Sequence, residues 1–195
     1  MNYSIFDVAT GQITKVVTCA DSDLVLQFNP ATQAALEGEF PDDQYYVVNG
    51  APVAIPAKPS PNHVFDFTTK TWIDPRTLAD VKVAKNAAID RARASANTSF
   101  FVFQGKQISV DPLSRSDIDA AHGAILLLQA MPPGWPGGWK AKDRTIVPIP
   151  DVATWGQFYS AMVSAGTTNF NHSQTLKAQL AAATTIAEVE AIPNW

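Results

Sequence analysis

The chain has 195 residues, 46% of them hydrophobic and only 16% charged, with 14 basic against 18 acidic side chains and a net charge of −4. That length allows a real core in one large or two small domains, and the apolar share argues against wholesale disorder. The acidic balance speaks against a general nucleic-acid binder, and the absence of a run of about 18 apolar residues predicts no membrane span.

The start, Met1-Asn2-Tyr3-Ser4, does not read as a signal peptide, and the single cysteine, Cys19, forbids an internal disulfide framework. Charge is unevenly spread. Residues 1–75 hold three basic and nine acidic groups, a net of −6, whereas residues 76–195 hold eleven and nine, a net of +2. The same position separates two hydrophobic patterns. The expected fold class is therefore α+β: a small N-terminal antiparallel β domain (1–75) with a Pro-rich linker at 52–61, then a mainly helical domain (76–195) with short β-hairpins.

Tyr3 to Val8 and Ile13 to Cys19 are rich in β-formers and flank Ala9-Thr10-Gly11-Gln12, so a hairpin is predicted. Asp21 to Asn29 reads as a short strand or loop, with Leu24, Leu26 and Phe28 alternating. Gln44 to Val48 is a strand ended by the turn dipeptide Asn49-Gly50, and Ala51-Pro52-Val53 returns as an edge strand. Pro52, Pro56, Pro59 and Pro61 then favour an extended connector. Val64 to Phe67 and Lys70 to Ile73 form a last hairpin, turning at Thr68-Thr69. Its aromatic residues Phe65, Phe67 and Trp72 read either as a small cluster or as a stacking platform for sugar or protein.

Asp74-Pro75 is a helix start, and Leu78, Val81, Ala84, Ala88 and Ala92 give a helical stripe to about Ala96. Lys82, Lys85, Arg91 and Arg93 read as its solvated face. Ser99 to Val102 and Gln107 to Val110 flank Gln104-Gly105 in a hairpin. Asp111-Pro112 opens a second helix to about Ala130, with Ile118, Ala121, Ile125 and Leu128 on its apolar face and Leu126 and Leu127 widening it. Gly123 inside this helix costs roughly 1 kcal/mol relative to Ala, which close approach of another element would explain. Met131 to Trp139 is a Pro/Gly loop, with a short strand pair after it. Helices are then predicted from Asp151 to about Ala165 and from Asn169 to Ala183. Thr185-Ile186-Ala187-Glu188 has capping-box spacing.

Candidate chemistry is sparse. His63, His122 and His172 are far apart in sequence, and no HExxH, paired-Cys, GxSxG, Walker or GxGxxG pattern is present. Cys19 reads as a buried structural residue, and Asp117 and Asp119 as partners of a helix dipole. No catalytic, cofactor-binding or metal residue is therefore expected. The remaining candidates are the partner-binding aromatics Trp135 and Trp139 of the Pro/Gly loop, together with Phe65, Phe67 and Trp72. Trp135 and Trp139 can either meet a partner or fold back as a lid over the helical core. Deletion of Pro132 to Gly138 is expected to leave folding intact.

Several ordered pieces carry a resemblance. They are the Ala/Lys/Arg-rich helix, Phe103-Gln104-Gly105-Lys106-Gln107-Ile108-Ser109-Val110-Asp111, Ser114-Arg115, Trp139-Lys140-Ala141-Lys142-Asp143, and the run from Ala182 to Ile192 before Trp195. Across residues 78 to 195 the chain resembles the DUF4376-type domain of tailed-phage and prophage proteins, although Pro132 to Gly138 is longer and richer in Pro and Gly than the usual pattern. Gln44 to Trp72 is similar to segments that precede such domains in tail-fibre-region proteins. The resemblance implies a non-enzymatic structural protein of a phage tail, at the baseplate or the fibre, working through protein–protein contacts. A tail-fibre assembly chaperone is the alternative. Expected partners are other tail or fibre proteins or a second copy, with glycan binding a weaker expectation and no nucleic acid. The expected location is the virion, with the host cytoplasm during assembly.

Overall fold

Strand β1 (Asn2–Asp7) lies between β2 (Ile13–Thr18) and β3 (Gln33–Glu37) in an antiparallel sheet of order β2-β1-β3. The computed structural model describes every residue from Met1 to Trp195 and divides into two units, Met1–Arg76 and Thr77–Trp195. β1 is covered on both faces: Tyr3 and Ile5 are buried on one, Ser4 on the other. The buried Ser4 hydroxyl donates to the Gly38 carbonyl and accepts from the Phe40 N–H, so it carries no unmet polar cost.

β4 (Tyr45–Val48) and β5 (Ala51–Ala54) pair through the Asn49-Gly50 turn, and β6 (Val64–Asp66) pairs with β7 (Thr71–Ile73). Gly11 joins the first hairpin to β4. Its carbonyl accepts from the Val47 N–H, its φ is +68°, and an added Cβ would lie 2.1 Å from the Val47 oxygen. Only glycine fits that combination. The Lys70 ammonium donates to the carbonyls of Thr10 and Phe67 and lies 5.2 Å from the centre of the Tyr46 ring.

Two readings of this unit change. Asp21–Gln27 is a 3₁₀ helix rather than a short strand or loop, and the third strand is Gln33–Glu37, whose Gln-Ala-Ala-Leu-Glu composition has little β-propensity and is recruited by pairing along β1. Cys19 is half-buried, not a core residue.

In the second unit, α1 (Leu78–Asn97) begins three residues later than the Asp74-Pro75 signal suggests. Thr77 and Asp80 form the capping box, while Asp74 grips the guanidinium of Arg76 at 2.6 Å, which holds its carboxyl down at about 2. The hairpin β8 (Phe100–Phe103) and β9 (Lys106–Ser109) precedes α2 (Pro112–Leu128). A second pair, β10 (Gly138–Lys140) and β11 (Ile146–Pro148), leads into α3 (Val152–Ala182), and α4 (Ile186–Ala191) closes the unit with the Thr185–Glu188 capping box.

α3 is one helix of 31 residues, not two. The Gly166-Thr167-Thr168 step costs about 2 kcal/mol of helical propensity relative to alanine, and lateral contacts offset it. Asn169 donates to Asn97 of α1 at 2.9 Å, and Arg93 lies 4.8 Å from the centre of the Phe170 ring. At about 1.5 Å per residue α3 is roughly 46 Å long. It serves two cores. Trp155, Phe158 and Met162 pack with Phe101, Ile108, Ile118 and Ile149, and Leu176 and Leu180 pack with Val81, Ile89, Val189 and Ile192.

The basic face of α1 is solvated at Arg91 but engaged at Lys82, Lys85 and Arg93. Lys82 donates to the Ala181 carbonyl, Lys85 to the Ile192 carbonyl and the Asn194 side chain, and Asp90 pairs with Lys177. On α2 only Ile118 and Ile125 are buried, whereas Leu126, Leu127 and Leu128 face solvent. No element approaches Gly123, so the close-contact reason for that glycine does not hold. The whole is an α+β chain, antiparallel strands followed by helices and short hairpins. None of its helices is long and apolar enough to cross a membrane.

Candidate functional site

Two aromatic clusters hold the five candidate residues, one in each unit. In the first unit Phe65 is buried, with Phe67, Trp72 and Tyr46 around it at centroid distances of 5.1 to 5.4 Å. Trp72 is half-buried, its indole N–H donates to the Pro56 carbonyl, and Lys58 lies 5.8 Å from the ring centre. The Pro-rich segment thus docks on the aromatic hairpin.

In the second unit the Pro/Gly loop folds back on the core. Trp135 meets Trp155 edge to face at 5.4 Å and donates from Nε1 to the Ile149 carbonyl at 2.8 Å. Trp139 is backed by Trp135, Trp155 and Phe158 at 6.1, 5.8 and 5.6 Å. Both rings are half-buried. This is the lid geometry. It argues against the expectation that Pro132 to Gly138 is dispensable for folding, because the segment carries an aromatic packed against the core.

Gly138 fixes the register of this lid. A Cβ there would lie 2.5 Å from the Val147 oxygen, so only glycine lets β10 close on β11. The β10–β11 turn then presents Lys140, Lys142 and Arg144. Arg144 takes a φ of +69°, a left-handed conformation that a side chain other than glycine adopts at some cost. Together with Trp139 and the α2 residue Asp117, these cations line an open cleft of about 660 Å³. Sequence reading marked Trp139 alone among them. The cleft draws on α2, the loop and the β10–β11 turn, and no linear motif signals that convergence.

The carboxylates around the cleft mostly serve the backbone. Asp111 accepts from the hydroxyls of Ser109 and Ser114 and from two N–H groups at the start of α2, and Asp143 accepts from Lys106 at 2.7 Å and from Thr145. Charged and neutral donors to the ionised form hold both carboxyls well below the usual range. Asp119 receives Arg115 and the Tyr159 hydroxyl. No group of three or more His, Cys, Asp or Glu is placed to hold a metal ion.

The chain matches the family model described as a domain of unknown function, DUF4376, over residues 80–193. That is more than half its length, and the chain belongs to this family. The match begins in the first turn of α1 and ends just after α4, so it takes in both cores of the second unit and the cleft. No curated protein and no solved structure matches the chain.

Proposed function

We propose that the chain is a non-enzymatic structural protein of a bacteriophage tail, placed at the baseplate or fibre and acting through protein–protein contacts. The tail setting rests on the resemblance of the ordered segments in 44–72 and 78–195 to tail-fibre-region proteins. The contact role rests chiefly on one observation. Leu126, Leu127 and Leu128 end α2 exposed at 58%, 85% and 49%, three large apolar side chains given to solvent at one helix end, of the kind that marks an interaction surface. Uncovered strand edges support the same reading: four of the five sheets have only two strands, and every residue of β5 is exposed.

Asp74, Asp111, Asp143, Asp151 and Glu188 are each held below their ordinary values because each caps a helix, ties a turn or pairs with a neighbouring cation, a structural use of these five carboxylates. A tail protein of this kind would reside in the virion, after assembly in the host cytoplasm, with tail or fibre proteins or a second copy as partner.

The test is affinity capture from phage-producing cells with the full chain and with Leu126→Asp/Leu127→Asp. The wild-type chain should recover tail or fibre proteins and the variant, still folded, should lose them. Recovery of fibre alone, by a chain that is missing from virions, would favour the assembly chaperone.

A further inference from the structure

The cleft beside Trp139 is occupied by no side chain of this protein, and its charge is unbalanced. Lys140, Lys142 and Arg144 face one lining carboxylate, Asp117. The nearby Asp143 is already neutralised by Lys106. Lys142 rests against the Phe100 ring at 5.2 Å, whereas Lys140, Arg144 and Asp117 have no partner within the chain. At about 660 Å³ the cleft falls within the span of small-ligand sites, about 300 to 1,000 Å³.

Trp139 lines the cleft and is held by three aromatic rings, so binding there would cost little ordering of the indole. The positive φ of Arg144 sets the direction in which its side chain leaves the turn.

We propose that this cleft binds a carboxylate-bearing saccharide, one sugar ring lying on Trp139 and its carboxylate held by Lys140 and Arg144. An indole face suits the C–H face of a pyranose, and guanidinium and ammonium groups suit a carboxylate. Asp117 decides between anions. A sugar carries several hydroxyl donors that can satisfy it at a distance from its own carboxylate, whereas inorganic phosphate has one or two and brings its whole charge against Asp117. The proposal stands apart from the tail assignment, since it needs only the cleft.

The test follows the indole N–H resonance of Trp139 in the full chain, assigned with Trp139→Phe. The ligands are trigalacturonate, 3′-sialyllactose and a hyaluronan tetrasaccharide, with lactose, inorganic phosphate and tetraglutamate as controls. At least one acidic saccharide should shift the resonance saturably, and its affinity should fall tenfold or more in Lys140→Ala/Arg144→Gly. That pair is exposed, and glycine accepts the positive φ at 144, so the variant should keep the wild-type Tm. The proposal is overturned if none of the three acidic saccharides shifts Trp139. It is equally overturned if lactose, phosphate or tetraglutamate binds as tightly, or if the double variant binds as well as wild type.

Discussion

The indole N–H of Trp155 donates to Nδ1 of His122 at 3.2 Å, tying α3 to α2 through the most buried tryptophan of the chain, which is 1% exposed. An accepting Nδ1 places the imidazole proton on Nε2. The same imidazole stacks on Tyr159, with 3.6 Å between centroids and 6° between planes. The histidine is therefore explained by packing, as a half-buried acceptor in an aromatic layer.

Trp155→Ala should destabilise the chain by about 3–5 kcal/mol, the usual cost of removing a buried aromatic. His122→Ala should cost about 1–3 kcal/mol, because it leaves a buried donor unmet. Urea denaturation followed by far-UV circular dichroism measures both. Two midpoints equal to that of the wild type would mean that this layer does not form.

Two glycines should respond in opposite directions. Gly123 sits in α2 with nothing within 4 Å of its absent Cβ, so Gly123→Ala should stabilise by about 0.5–1 kcal/mol. Gly138→Ala places a Cβ against the Val147 carbonyl and should open the β10–β11 pair. Thermal melts of the two variants, read beside the tryptophan fluorescence of the lid, test the contrast. A stabilised Gly138→Ala would refute the register described for β10.

Deleting Pro132 to Gly138 removes Trp135, its hydrogen bond to Ile149 and its edge contact with Trp155. The deletion should broaden or abolish cooperative unfolding of the second unit, while Trp135→Phe, which keeps an aromatic ring, should lower the Tm less. A deletion variant with an unchanged, sharp transition would show that the loop is only a cover.

Acid should weaken both units. Asp74 titrates at about 2, and Asp7, Asp66, Asp111, Asp143, Asp151 and Glu188 are also held below their ordinary values by hydrogen bonds made to the ionised form. A lowered folded-state pKa gives stability that is present above the unfolded value, near pH 4, and is lost as pH falls through the folded one. The Tm should hold from pH 7 to about 4.5 and drop steeply toward pH 2. Asp143→Asn should flatten part of that slope. A Tm independent of pH between 4.5 and 2 would contradict these contacts.

Much of the architecture is legible in local chemistry. The Asn49-Gly50 and Gln104-Gly105 turns, the Asp111-Pro112 helix start and the Thr185–Glu188 box each carry their own geometry in a few adjacent residues. What escapes is what depends on distant partners. The strand Gln33–Glu37 exists because β1 offers an open edge, and α3 runs unbroken through Gly166-Thr167-Thr168 because α1 braces it at Asn97 and Arg93. Periodicity misplaces the leucines of α2 for the same reason: three successive leucines cannot share one face, and nothing local says which will be covered. The aromatics Trp135, Trp139, Phe65, Phe67 and Trp72 are visible as residue types, but their division into buried backing and exposed platform is a tertiary property. The cleft beside Trp139 draws most of its lining from the stretch Pro136 to Ile146, and its closure by Ser109, Ser114 and Asp117 is a tertiary property.

The proposal of a tail component is tested most directly by quantitative mass spectrometry of gradient-purified virions of the phage that encodes the chain. The account predicts that the chain is present at a fixed stoichiometry to the known tail proteins and survives a high-salt wash. Its absence from virions that contain the full set of other tail proteins would contradict it.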